Sequence, residues 1–493
     1  MANNLWAKKS LTTLLAAAAN SEKGLKRTLG AWNLVALGIG AIIGAGLFVR
    51  TAAAAAQAAG PAVTLSFVVA AIGCAFAGLC YAEFAAMIPI AGSAYTYAYT
   101  TMGEFVAWII GWSLIMEYAL GAATVSIAWS EYLNKLLGGA IPHEWCHGPL
   151  EGGYLNAPAL LILFILTVVL IRGTQGSAML NAVLVALKVS VVLAFIAIGW
   201  QFINPANHSP YFISADHPNF PNPTIPGKFL TSYEAWNHHG WGGVLGGAAI
   251  VFFAFIGFDA VSTTAQEAKN PGRDMPKGIL GSLAICTILY VLFGHVLTGV
   301  APWTDFADPL KGKEASIAYT ISTYMSGYGW LATAVTVAIL AGFSSVILVM
   351  LMGQSRVFFS MSNDGLIPKI FSELHPEHRT PFKSNWILLV FVGLIAAFVP
   401  GNLTGDLTSF GTLLAFVLVC FGIIIMRKSN PEQARPFRTP LVPLVPILGA
   451  LVCLFMIIAL DKYTLMVAFG WMLLGFFVYF LYSQHHSKVQ HGE

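Results

Sequence analysis

Two glycine-containing interruptions lie within long apolar segments of the chain. The first segment reads GIGAIIGAGLF at residues 38–48, and the second reads FFAFIGFD at residues 252–259. Glycine costs a helix interior about 1 kcal/mol relative to alanine, so both helices are expected to break there. Close helix packing through small residues would explain the first run equally well on its own. Paired interruptions at matching positions favour a ligand site between two broken membrane helices.

The broken backbone would offer both charges that a zwitterion requires. The NH groups that begin an outer half-helix carry the positive end of its dipole and can bind a carboxylate; they belong to Gly44, Ala45 and Gly46. The carbonyls that end the preceding half-helices can bind an ammonium group; they lie near Ile42, Phe253 and Ile256. The pattern therefore predicts a site for an amino acid.

Lys188 lies deep inside the fifth apolar segment. A charge at the bilayer centre costs about 2.5–3.5 kcal/mol on insertion scales, and such residues usually have a function. Lys188 could take up and release a proton during transport, replace a bound sodium ion, or form a fixed ion pair. Ser344 and Ser345 of the eighth segment could add further oxygens near it.

Glu117 and Asp259 are isolated carboxylates in apolar sequence. Each could carry a proton, contact the substrate or form part of a gate, and a structural hydrogen-bonding role is an equal alternative. Glu83 lies nearer a span end, and we interpret it as interfacial.

The composition indicates an all-α integral membrane protein. The chain has 57% hydrophobic and only 10% charged residues, whereas soluble domains have about 45–50% apolar and about 25% charged residues. The net charge of +3 does not suggest a nucleic-acid partner. We find no metal-ligand cluster, nucleophile motif or phosphate loop, so we expect no enzyme activity, no metal and no cofactor. The expected coupling ion is the proton, because Lys188 could take one up and release it.

Apolar segments of about 20 residues, the length that crosses a bilayer, predict twelve transmembrane helices. Their predicted limits are 31–57, 62–88, 105–137, 156–172, 180–202, 243–268, 278–301, 329–357, 384–399, 403–427, 440–460 and 462–482. Lysine and arginine concentrate in the segments that lie on the same side of the membrane as the N-terminus. This bias predicts that both termini are cytoplasmic. We expect the protein in the cell membrane.

The matching breaks also divide the chain into two blocks of five spans, which would insert with opposite orientation. The predicted divisions are a cytoplasmic segment 1–29, a first repeat 30–202, an extracellular loop 203–242, a second repeat 243–428, two further spans within 429–482, and a cytoplasmic tail 483–493.

Several motifs resemble those of the amino acid–polyamine–organocation transporters, and within them the cationic amino acid transporter subfamily and its bacterial relatives. The motifs are GAIIGAGLF at 40–48, YAEFAAMIPIAGSAYTY at 81–97, FAFIGFDAVS at 253–262, NPGRDMP at 270–276, GQSR at 353–356 and MSNDGLIP at 361–368. They occur in the order of the family and extend from the first span to the loop after the eighth.

This resemblance implies the leucine-transporter fold, with a 5+5 inverted repeat and two C-terminal helices. It implies a substrate carboxylate near Ala45 and Gly46, and a proton-linked lysine at Lys188 in place of sodium. Ala45 departs from the many relatives that have Ser or Thr there, which removes one possible hydrogen bond. Phe343 is expected to line the side-chain pocket, where its bulk favours a small neutral substrate over arginine or lysine.

The resulting hypothesis is proton-coupled uptake of a small neutral, or alternatively cationic, L-amino acid by alternating access. Two alternatives remain open: an exchanger of amino acids or polyamines, and a non-transporting amino acid sensor. Expected partners are the amino acid and membrane lipids, and the sequence is also compatible with a small membrane-protein partner.

Overall fold

A computed structural model describes residues 4–10, 29–90, 92–172, 177–213, 239–306, 316–377 and 380–491. Most of the predicted N-terminal segment and of the predicted loop 203–242 therefore lies outside the described residues. Helices account for all the regular secondary structure in these ranges apart from one isolated bridge, between Leu29 and Ala268.

The α-helices are, in chain order, α1 Ala31–Ile42, α2 Thr51–Ala54, α3 Val63–Met87, α4 Ser93–Thr101, α5 Glu104–Leu136, α6 Ala157–Arg172, α7 Ser177–Gly199, α8 Gly240–Val251, α9 Pro271–Val300, α10 Ser316–Tyr324, α11 Gly329–Asn363, α12 Phe382–Phe398, α13 Gly401–Ser429, α14 Leu444–Ile458, α15 Lys462–Val478, α16 Gln484–His486 and α17 Lys488–His491.

The apolar helices lie where the hydropathy pattern predicts them. Eight helical stretches in the described part of the chain are long and apolar enough to cross a membrane, and four shorter apolar helices accompany them. The limits of the predicted third and fourth spans, for example, agree with α5 and α6 to within one residue. The described structure is thus an all-helical, multi-pass membrane protein.

Two short helices were not expected from the sequence. All nine residues of α4 are buried, although its Tyr- and Thr-rich sequence is too short and too polar to form a span. The helix α10 is also nine residues long. Such helices depend on tertiary packing, since isolated helices of this length are unstable in water.

The long helices pack in two groups. In one, α9 packs against α1 and α3, and α8 packs against α3; in the other, α5 packs against α11 and α13. The predicted first and sixth spans belong to the first group. Both glycine-containing interruptions therefore lie in the first group, next to the helices of the second.

Glu83, which the sequence places near the end of a span, is almost completely buried within the protein, with 1% exposure. Its carboxylate accepts hydrogen bonds from Arg427 at 3.0 and 2.8 Å and from the Thr439 backbone NH at 2.7 Å. Two nitrogens of one guanidinium group and a backbone NH compensate for its desolvation, as a buried carboxylate requires. This cluster fastens α3 to α13.

The two interrupted helices cross in close contact because glycine occupies both crossing points. A Cβ atom at Gly46 would lie 2.2 Å from the Ala254 Cα atom, and one at Gly257 would lie 2.9 Å from the Ala41 carbonyl oxygen. Gly257 also has a φ of +113°, a backbone conformation that residues with a side chain rarely adopt.

Gly46→Ala should therefore destabilise the protein by about 1–3 kcal/mol or more, because the added methyl group meets backbone rather than a flexible side chain. The apparent melting temperature in detergent measures this effect. Gly470→Ala in α15 is the matched control, since no atom lies within 4 Å of a Cβ atom there. Equal melting temperatures for the two variants would contradict the close crossing.

Candidate functional site

The helix of the first span breaks where the glycine run predicts. The helix α1 ends at Ile42, Ile43 has extended backbone (φ −73°, ψ 103°), and helical structure resumes as a π-helix from Gly46 to Arg50. Among the described residues, no hydrogen bond engages the NH groups of Gly44 or Ala45. These NH groups, with that of Gly46, form the N-terminal end of the outer half-helix and are available to an anion.

The predicted sixth span breaks in the same manner. The helix α8 is followed by a 3-10 turn, Phe252–Phe255, after which Ile256 has extended backbone and Gly257 a positive φ. A 3-10 helix then begins at Asp259. Both breaks predicted from glycine are thus confirmed as geometry, and they lie side by side.

Tyr290 of α9 connects the two breaks, and sequence reasoning did not identify it. Its hydroxyl lies 3.0 Å from the Ile42 carbonyl oxygen and 2.9 Å from that of Ala254. The sequence suggested that the Ile42 and Phe253 carbonyls are free, but both have partners. The Ile42 carbonyl accepts from Tyr290, and the Phe253 carbonyl accepts from the Ile256 NH at 3.3 Å. A carbonyl oxygen has two lone pairs, so each can still accept a second donor.

Lys188 reaches the first break from α7. Its ammonium donates to the carbonyls of Gly40 at 2.8 Å and Ile43 at 3.0 Å, and the residue is only 1% exposed. These carbonyls form the C-terminal end of α1, where the negative end of the helix dipole favours a cation. The α11 backbone closes over the side chain, since a Cβ atom at Gly342 would lie 2.8 Å from the Lys188 Cε atom.

The two serines predicted to add oxygens near Lys188 each donate a hydrogen bond to their own helix. Ser344 donates to the Leu340 carbonyl and Ser345 to that of Gly342, both at 2.9 Å. Hydroxyls in helix interiors often bond backward in this way, and Lys188 receives its two oxygens from the backbone of the first span.

Glu117 and Asp259 lie close to one another in a fully buried region between the two helix groups. Asp259 accepts a hydrogen bond from the Tyr118 hydroxyl at 3.3 Å through one oxygen, and its other oxygen has no partner among the described residues. No hydrogen bond of standard geometry engages either Glu117 oxygen among the described residues, although the Thr412 hydroxyl lies beside this carboxylate. The neighbouring Thr412 hydroxyl donates to its own helix.

Further polar atoms nearby are also unpaired. The Tyr81 hydroxyl and both terminal atoms of Gln354 are buried without a hydrogen-bond partner in the described structure, and the Tyr97 hydroxyl lies beside Ser262. Buried polar groups are normally paired with protein or water. A region with this many open positions is suited to hold water or exchangeable protons.

Phe343 lies among aromatic rings at the outer side of the first break. Its ring centroid is 6.2 Å from that of Phe48 and 5.6 Å from that of Tyr132, and Phe48 in turn lies 6.0 Å from Phe293. These rings are fully or almost fully buried. We call Phe48, Tyr132, Phe293 and Phe343 the aromatic wall.

Arg50 is a second residue whose importance the sequence did not reveal. It ends the π-helix after the first break, is 4% exposed, and forms an ion pair with Asp406 of α13; its other terminal nitrogen lies 3.5 Å from the Asn402 side-chain oxygen. The pair connects the outer half-helix to the opposite helix group. Its only sequence signal was a single arginine directly after a broken apolar helix.

The predicted residues thus form three neighbouring parts: the crossed breaks, Lys188 beneath the first break, and the acidic pair Glu117 and Asp259 after the second. In the described residues no group of His, Cys, Asp or Glu has the geometry of a metal site. The crossed breaks thus bring backbone NH groups, backbone carbonyls and ionisable side chains together.

Comparison with known proteins agrees with this arrangement. The chain is 42% identical to the branched-chain amino acid permease BcaP of Bacillus subtilis, over 99% of this chain and 100% of that protein. It is 38% identical to the methylthioribose transporter of the same organism, over 99% of each chain. It is also 34% identical to human cationic amino acid transporter 4, over 84% of this chain and 62% of that protein.

A family model described as amino acid permease matches residues 29–483, which includes every helix from α1 to α15. With broken helices that present main-chain groups, buried ionisable residues at the breaks, and these relatives, the chain belongs to the amino acid permease family of the amino acid–polyamine–organocation transporters and is a transporter rather than an enzyme.

Proposed function

We propose that this protein takes up a neutral, apolar L-amino acid together with a proton by alternating access. The observation that carries the proposal is the position of Lys188, whose ammonium is held by two carbonyls at the end of α1, beside the unpaired NH groups of the break. A change of charge on this lysine would act directly on the helix that contributes to the substrate site.

The coupling follows from electrostatics. A protonated Lys188 is attracted to the C-terminal end of α1 and fixes it against α7, whereas loss of the proton weakens that attraction. Since α1 carries groups proposed to bind the amino acid, the proton and the substrate would favour the same arrangement of α1. Such mutual stabilisation is what couples two ligands thermodynamically.

The neutral, apolar substrate follows from the surroundings of the first break. The aromatic wall offers hydrocarbon to a substrate side chain, and the carboxylates of Glu117 and Asp259 lie beyond the second break. An aliphatic side chain would bury hydrocarbon against these rings, whereas a cationic one would be desolvated there without a carboxylate in direct contact. The relative named for branched-chain amino acids has the highest identity of the three compared, and this supports an aliphatic substrate.

Alternating access would use the two helix groups as the moving bodies, with both termini in the cytoplasm and twelve spans in a 5+5 repeat plus two helices. The group containing α1, α3, α8 and α9 would rock against the group containing α5, α11 and α13. The Arg50–Asp406 pair joins the two groups on the outer side of the break. Breaking and reforming this pair would open and close the route from outside.

The uptake assay compares labelled leucine, alanine, arginine and methylthioribose in proteoliposomes, with and without an inward proton gradient. We expect gradient-stimulated uptake of leucine or alanine, abolished by a protonophore. Uptake that requires internal amino acid and ignores the gradient would identify an exchanger instead. Binding without any uptake would identify a sensor.

Lys188→Met keeps much of the side-chain volume but removes the charge. We expect it to abolish stimulation of uptake by the proton gradient while the variant remains folded and monodisperse in detergent. Lys135→Met, at an exposed position near the end of α5, is the matched control and should behave as the unmodified protein. Gradient stimulation that survives in Lys188→Met would remove Lys188 from the coupling mechanism.

Tyr290→Phe removes the hydroxyl shared by the Ile42 and Ala254 carbonyls and leaves both with an unmet acceptor. The cost of unsatisfied buried groups is about 1–3 kcal/mol of folding stability, and we expect amino acid affinity to fall as well because the two breaks lose the hydroxyl that joins them. Titration calorimetry measures the affinity. Tyr463→Phe at an exposed position is the control, and equal affinity in both variants would show that Tyr290 does not organise the site.

A further inference from the structure

A large groove opens where α1 and α9 begin, apart from the crossed breaks. It has a volume of about 1430 Å³ and extends along the first turns of both helices to the loop that contains Pro436 and Phe437. We call it the α1–α9 groove. None of the residues assigned to the amino acid site lines it.

Three cations surround the α1–α9 groove. Lys269, Arg273 and Lys277 all line it and are all exposed, and within the described structure no ion pair or side-chain hydrogen bond engages them. The one carboxylate in the lining, Asp274, is buried and accepts a hydrogen bond from the Asn270 backbone NH at 3.2 Å. The cations therefore outnumber the anions, and the local charge favours an anionic ligand.

The rest of the groove is apolar. Val35, Leu280, Ala284 and Ile285 continue it along the two helices, in the direction in which α1 and α9 enter the apolar layer. Trp32 stands at its edge with 80% exposure, as tryptophans do at the level of lipid headgroups. A ligand that fits both parts must have an anionic head and hydrocarbon chains.

We propose that the α1–α9 groove is a binding site for an anionic phospholipid of the cytoplasmic leaflet. The phosphodiester would lie among Lys269, Arg273 and Lys277, and the acyl chains would follow the apolar side chains. Basic pockets between transmembrane helices on the cytoplasmic side bind such headgroups. The proposal goes beyond the amino acid site and does not depend on which substrate that site takes.

The position of the groove gives the lipid a role in the motion of α1. Lys269 donates its backbone NH to the Leu29 carbonyl at 2.9 Å, so the chain entering α1 is already tied to the chain entering α9. A phosphodiester held between these two helix starts would strengthen this connection. The bound lipid would then keep α1 and α9 moving as one body.

Native mass spectrometry of the delipidated full-length protein tests the proposal independently of transport. Phosphatidylglycerol and phosphatidylcholine with the same acyl chains are the probes. Replacing Lys269, Arg273 and Lys277 together by Gln should lower the affinity for phosphatidylglycerol on the order of 100-fold, at about 1 kcal/mol for each charge, and leave that for phosphatidylcholine unchanged.

The matched control replaces Arg172, Lys369 and Lys428 by Gln, which removes the same charge from exposed positions outside the groove. It should keep the phosphatidylglycerol affinity. Equal loss in both triple variants, or no loss in either, would overturn the proposal. If the groove variant does not fold, the single variant Arg273→Gln should show a smaller loss of affinity for phosphatidylglycerol, again without a change for phosphatidylcholine. An unchanged affinity for phosphatidylglycerol in that variant would likewise overturn the site.

Inorganic phosphate separates a lipid from a soluble anion. In detergent, phosphatidylglycerol should raise the melting temperature of the unmodified protein but not that of the variant with Lys269, Arg273 and Lys277 replaced by Gln. Inorganic phosphate should leave the melting temperatures of both proteins unchanged. An increase with inorganic phosphate as large as that with phosphatidylglycerol would show that the groove takes a soluble anion and would refute the lipid site.

Discussion

Inside a bilayer no water is available to hydrogen-bond an interrupted backbone, so every break in a spanning helix must be compensated by the protein or line a cavity. This constraint explains the centre of the molecule. Lys188 and Tyr290 reach the breaks from two different helices and bind the carbonyls released there. Glycine at both crossing points lets the half-helices approach closely enough to share these partners. Among the described residues, the NH groups of Gly44 and Ala45 remain without a hydrogen bond, and NH groups at a helix start of this kind suit an anion.

Charge is distributed around this centre according to the same constraint. The ion pairs of Glu83 and Arg50 each join a helix of one group to α13 of the other. Buried pairs contribute little net stability when complete but cost about 3–5 kcal/mol when one partner is removed. They are therefore suited to define discrete closed arrangements of the two helix groups. The acidic pair Glu117 and Asp259 differs, since most of its oxygens lack such partners in the described structure.

Much of this architecture could be predicted from sequence because its signals are local. Length and hydropathy located the apolar helices, glycine located both breaks, and a lone lysine in an apolar segment marked Lys188. Partners distant in sequence could not be predicted in this way: Tyr290 is one tyrosine among many, and the Arg50–Asp406 pair joins residues that are 356 positions apart. The hydroxyls of Ser344 and Ser345 donate to their own helix, and the sequence alone does not show whether such a hydroxyl bonds to its own backbone or to a neighbouring helix. Helix α4 was missed because its burial, rather than its composition, stabilises it.

The division of the site between main chain and side chains has a consequence for the family. NH groups and carbonyls at the breaks are common to any sequence that keeps the glycines, whereas the aromatic wall can change one side chain at a time without disturbing them. A scaffold built in this way can accept different substrates while its backbone stays the same. The relatives that align over most of this chain are named for branched-chain amino acids, cationic amino acids and methylthioribose. Such a range of substrate names is expected of a scaffold built in this way.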